Sequence, residues 1–152
     1  MTDGWSAAIV LVGLVGWTLL ADVCWGAEER LAGWWVARAR SRGAWAGPWS
    51  FLVSMTALVG YGLVVWLGEV LAATLDSPTS VLLVVVPAAL AYSPFAVTTA
   101  PLSPSGYLRW RASLESAGAD TREQRNIAWW AGPPSLLGLG AIVLTLFQGL
   151  LG

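Results

Sequence analysis

The chain reads as an all-α integral membrane protein. Four transmembrane helices are expected in two antiparallel hairpins, with short interfacial amphipathic helices on the cytoplasmic side. Three observations predict this. Hydrophobic residues make up 57% of the chain and charged residues 11%, against about 45–50% and about 25% in a soluble domain. Four apolar runs, near 5–25, 48–73, 78–100 and 134–151, approach or exceed the roughly 20 residues that cross a bilayer. All eight basic residues are arginines in two stretches between those runs, Arg30, Arg38, Arg40 and Arg42 in one and Arg109, Arg111, Arg122 and Arg125 in the other. The far ends of the runs carry none. That asymmetry places 26–47 and 101–133 in the cytoplasm and both termini outside the cell membrane. The 152 residues are expected to form a single membrane domain.

The first span covers Trp5 to Trp25, and its helix is expected to run on through Leu31, Trp34 and Trp35, weakly interrupted at Gly26 and Gly33. Gly43 to Gly47 reads as a turn. Pro48 opens the second span, a first-turn position where its missing N–H has no helical partner anyway. The short connection Thr74–Ser77 implies a tight outer hairpin, with Ser77 capping and Pro78 opening the third span. Pro87 and Pro94 should bend that span, with Ser93, Thr98 or Thr99 satisfying a freed carbonyl.

In the second arginine stretch, Tyr107, Trp110, Leu114 and Ala117 recur at helical spacing. They would line one face of a short helix lying on the membrane surface, ended by Gly118. Thr121 and Gln124 have capping-box spacing and could start another short helix reaching Trp130. Gly132-Pro133-Pro134 should break the chain before the fourth span. The tryptophans fit this register. Trp25, Trp45, Trp49, Trp110, Trp129 and Trp130 fall at the inner interface and Trp5 and Trp66 near the outer one, with Trp17 anomalously deep. Gly13, Gly16, Gly60, Gly62, Gly138 and Gly140 fall near the midplane, where small residues let helices pack closely.

Composition excludes several chemistries. There is no histidine or lysine, so no imidazole ligand, Schiff base or P-loop lysine. The single Cys24 excludes an intrachain disulfide and is expected to pack as a small apolar residue. No cofactor or metal is implied. The net charge of −1 gives no nucleic-acid face.

The side chains singled out are few. Glu69 lies inside the second span, about four residues from its outer end, with Gln148 as its expected partner. A charged carboxylate facing lipid costs roughly 2.5–3.5 kcal/mol at the bilayer centre and less toward the edge. Glu69 therefore either marks a proton or cation site or is hydrated near the interface. Tyr61 and Tyr92, with Thr18, Thr56 and Thr145, are expected to hydrogen-bond between helices. Asp22 reads as an interfacial acid beside basic residues, able to pair with Arg30 or an arginine of the other stretch, and lies far from Glu69. Arg38, Arg40, Arg42, Arg109 and Arg111, with Trp34, Trp35 and Trp110, should contact anionic headgroups or a partner.

No nucleophile–base pair or metal constellation appears, so the chain is expected not to be an enzyme. The expected role is a non-catalytic accessory, assembly or scaffold subunit, as a homo-oligomer or with other membrane subunits. The alternative is an oligomeric transporter or channel for protons, cations or a small solute, using Glu69.

Overall fold

A computed structural model describes residues 3–75, 79–100 and 103–151, and the side chains among them except at 3–8, 10, 11, 79, 80 and 149–151. The described residues are helical throughout, joined by short turns: α1 (Asp3–Trp25), α2 (Ala27–Arg42), α3 (Ala46–Leu75), α4 (Thr79–Thr99), α5 (Pro104–Ser116) and α6 (Thr121–Leu151). Three helical stretches, 27–75, 81–99 and 121–148, are long and apolar enough to cross a membrane. Of the expected first span, Val12–Trp25 is a shorter apolar helix, and most of the side chains before it, Trp5 included, lie outside the described residues. Asp76, Ser77 and Pro78 also lie outside them.

Gly26 is a full break between α1 and α2, not a weak interruption. It adopts φ 58°, in the left-handed region, which is open to glycine without the clash a Cβ would bring. The new helix starts with side-chain help from the old one, because the Asp22 carboxylate accepts the Glu28 N–H at 2.9 Å. Glu28 and Glu29 occupy the first turn of α2 and Arg40 and Arg42 the last, matching the helix dipole at both ends. A single 3-10 turn, Gly43–Trp45, then leads into α3. The helix begins at Ala46, two residues before the expected Pro48.

The largest departure from expectation is α6. Gly132-Pro133-Pro134 does not break it: both prolines sit inside one continuous helix of 31 residues. Proline fits helical φ, and its penalty is the unpaired carbonyl four residues back. Here those carbonyls belong to Trp129 and Trp130, two residues whose side chains are exposed. The capping box at the start of α6 also lies one residue earlier than expected. The Glu123 N–H donates to the Asp120 carboxylate at 2.7 Å and the Asp120 N–H to the Glu123 carboxylate at 2.9 Å. Those two residues, not Thr121 and Gln124, satisfy each other's orphan donors.

Proline resolves more simply in α4. Pro94 cannot donate to Leu90, so the Leu90 carbonyl is left without its helical partner. The Trp17 indole N–H of α1 donates to that carbonyl at 2.8 Å, and Ser93 Oγ at 3.3 Å. The Trp17 indole N–H thus has an acceptor within the protein, as a part-buried indole usually does.

Helices α3, α4 and α6 pack mutually, and α1 lies against α4 and α6. Two cores result. One is built from Leu14, Tyr61, Val65, Val85, Ala89, Tyr92, Ala96, Ile142 and Leu146. The other lies at the arginine-rich end and gathers Ala32, Trp35, Val36, Ala39, Trp110, Leu114 and Ile127. The face of α5 is the expected one, with Trp110 and Leu114 buried and Gly118 (φ 92°) following its end. That face packs on α2 and α6 rather than lying free on a surface. Helices of 30 and 31 residues, α3 and α6, are about 45 Å long, well beyond a ~30 Å hydrocarbon layer. Their excess length supports the second core.

Candidate functional site

The residues expected to form a polar site inside the spans separate into two places. Tyr61 and Tyr92 are brought together: their rings stack with centroids 5.2 Å apart and planes 19° apart. The Tyr61 hydroxyl lies 2.5 Å from Thr145 Oγ1, joining α3 to α6. The Tyr92 hydroxyl is buried without a partner among the described residues and points against Gly138, where a Cβ would come within 2.8 Å of the ring carbon bearing that hydroxyl. Gly138 is thus a close-approach glycine. The other midplane glycines, Gly13, Gly16, Gly60, Gly62 and Gly140, have open space where a side chain would be, so they are not the tight contacts expected of them.

Glu69 is not part of this cluster. It is exposed, beside exposed Trp66, Leu67 and Val70. Gln148 is exposed too, and no hydrogen bond joins the pair among the described residues. Thr18 and Thr56 bond carbonyls of their own helices, Leu14 and Leu52. The interhelical pair that sequence reasoning missed is Thr99 with Ser135, whose hydroxyls are 2.5 Å apart between α4 and α6. Its signal was the burial of small hydroxyls beside prolines, which sequence alone does not orient.

An aromatic column links the two cores. Trp34 and Trp49 edge against Trp35, Trp35 lies 6.1 Å from Phe95, Phe95 lies 6.0 Å from Tyr92, and Tyr92 stacks on Tyr61. Trp35 and Trp110, at 0% and 3% exposure, are therefore interior residues and not the outward contacts expected. Indoles large enough to fill the layer are spent on packing there. Trp34, Trp129 and Trp130 remain exposed.

The arginines differ in use. Arg40 donates to the Gly118 carbonyl and lies 3.8 Å from the Glu123 carboxylate. Arg111 donates to Gln124 Oε1 at 3.2 Å and sits over the Tyr107 ring. Arg42 sits over Trp49. Arg38 and Arg109 are exposed and have no ion pair among the described residues.

One polar cleft emerges that the sequence did not disclose. It encloses 210 Å³ between α1, α2, the end of α4 and α5. Val15, Leu19 and Val97 line it, as do Asp22, Glu28 and Arg109. One oxygen of each carboxylate is engaged: Asp22 Oδ1 holds the Glu28 N–H, and Glu28 Oε1 accepts the Ser113 hydroxyl. Among the described residues there is no group of acidic, cysteine or histidine side chains that could hold a metal. With this geometry in hand, no family model, curated protein or solved structure matches the chain.

Proposed function

We propose that this chain is a four-span protein of the cell membrane that acts as a non-catalytic assembly or scaffold subunit. Its arginine-rich layer faces the cytoplasm and both termini lie outside. Helices α1, α3, α4 and α6 supply the four crossings, alternating in direction, with α3 and α4 packed together as the hairpin that turns on the outer side. The arginine segregation supports this orientation.

The observation that carries the assembly role is the position of Glu69. A carboxylate on the outward face of an apolar helix is costly against lipid, and a neighbouring chain that offers it a hydrogen-bond donor or a cation lowers that cost. Meanwhile the interior is filled by aromatic rings and small hydroxyls, and the tyrosine pair is separated from Glu69. A proton or cation path through one copy of the chain gains nothing from that arrangement.

The test is gentle detergent extraction followed by native mass spectrometry. A defined homo-oligomer or a stoichiometric complex is expected, shifted to smaller species by Glu69→Ala. A strictly monomeric wild-type particle removes the assembly reading. Proton or cation flux through reconstituted vesicles that falls with Glu69→Gln would put the transport reading in its place.

A further inference from the structure

We propose that the cleft between α1 and α5 is a headgroup site for a phospholipid carrying a primary ammonium, the phosphatidylethanolamine class. The inference rests on the membrane reading above but not on the assembly role.

The cleft has two chemically distinct ends. Val15 and Leu19 are exposed and, with Val97, form an apolar rim on the part of α1 and α4 that belongs to the spans. Asp22, Glu28, Ser103 and Arg109 form the other end, at the arginine-rich layer. An amphiphile standing in a bilayer presents the same order, chain first and headgroup second. The volume of 210 Å³ is well above the roughly 10–15 Å³ that a single water requires on the same kind of measure. That accommodates a headgroup, while the acyl chains run outside along α1.

Charge decides which headgroup. The cleft holds two carboxylates and one guanidinium, with no ion pair among them in the described residues. After these internal bonds each of the two carboxylates that line the cleft keeps one oxygen, Asp22 Oδ2 and Glu28 Oε2, without a partner among the described residues. An ammonium with three N–H donors matches them. A trimethylammonium has no donor to give and is recognised instead by an open aromatic cage, and the aromatic of this wall, Trp110, is 3% exposed. Arg109 supplies a cation for the phosphate. A purely anionic headgroup would meet the two carboxylates and be disfavoured.

The test is native mass spectrometry of the detergent-purified protein titrated with phosphatidylethanolamine, its mono- and dimethyl derivatives, phosphatidylcholine and phosphatidylglycerol of matched chains. Retention should fall stepwise with each methyl group, at least tenfold from the first lipid to phosphatidylcholine, and phosphatidylglycerol should bind no better than phosphatidylcholine. Asp22→Asn combined with Glu28→Gln keeps the acceptor oxygens that hold α2 and Ser113, and should abolish the methyl dependence. Arg109→Ala should weaken all phospholipids alike and leave the dependence intact. Equal retention of all headgroups, or tighter retention of phosphatidylglycerol, overturns the proposal, and the methylation series on the wild-type protein does so even if a variant fails to fold. Release of the protein from cell membranes by carbonate alone would instead remove the membrane reading beneath it.

Discussion

Tyr92 and Gly138 show how a single atom can set a packing constraint. The Tyr92 hydroxyl occupies the space a Cβ at Gly138 would need, and its ring is held between Tyr61 and Phe95. Gly138→Ala should therefore cost about 1–3 kcal/mol, as overpacking does, read as lower thermal stability in detergent. Tyr92→Phe removes a buried hydroxyl with no partner among the described residues, so it should be neutral or stabilising and should rescue Gly138→Ala in part, because two ring carbons still lie 2.8 and 2.9 Å from the added Cβ. Failure of that rescue would mean the ring, not the hydroxyl, is the obstacle. The Trp17 bond to Leu90 is testable in the same currency. Trp17→Phe should lose about 0.6 kcal/mol of hydrogen bonding, the usual membrane value. That loss should shrink in a Pro94→Ala background, where the restored N–H satisfies Leu90. Additive losses would show that Pro94 does not create the need for the indole.

At the scale of the helices, the prolines separate what a sequence can and cannot disclose. Periodicity placed Trp110 and Leu114 on the buried face of α5, and a glycine was correctly expected to follow its end. Proline chemistry predicted a break before residue 134, yet α6 passes through Pro133 and Pro134 intact. Whether a freed carbonyl ends a helix depends on what surrounds it, and that is tertiary information. The same limit shifted the capping box from Thr121 and Gln124 to Asp120 and Glu123, because two overlapping spacings share the motif. Gln124 instead lies buried, donating to the Ala119 carbonyl and accepting from Arg111. Asp120→Ala should lose about 1 kcal/mol, whereas Thr121→Ala should change stability by less than about 0.5 kcal/mol. Equal losses in thermal denaturation would mean the box is not the anchor of α6. The polar cleft stayed hidden for a related reason: Asp22, Glu28 and Arg109 are spread over three helices, and nothing in their spacing announces that they meet.

For the molecule as a whole, composition foretold the helical class and the apolar stretches capable of crossing a bilayer. It did not foretell that the arginine-rich segments fold into a second core sharing α3 and α6 with the first. The orientation proposed for that layer has a direct check. With exposed Cys24 changed to Ser, Arg40→Cys and Arg122→Cys should both react with an impermeant thiol reagent in inside-out vesicles and neither in intact cells. Reaction of the two from opposite sides would dismantle the topology. The packing of α1 carries a consequence for biogenesis. This helix rests on α4 and α6, and its indole reaches a carbonyl 73 positions later in the chain. A nascent polypeptide must therefore hold α1 undocked until the ribosome has delivered residues beyond 90, so an insertase or chaperone that shelters lone helices has a long interval in which to act.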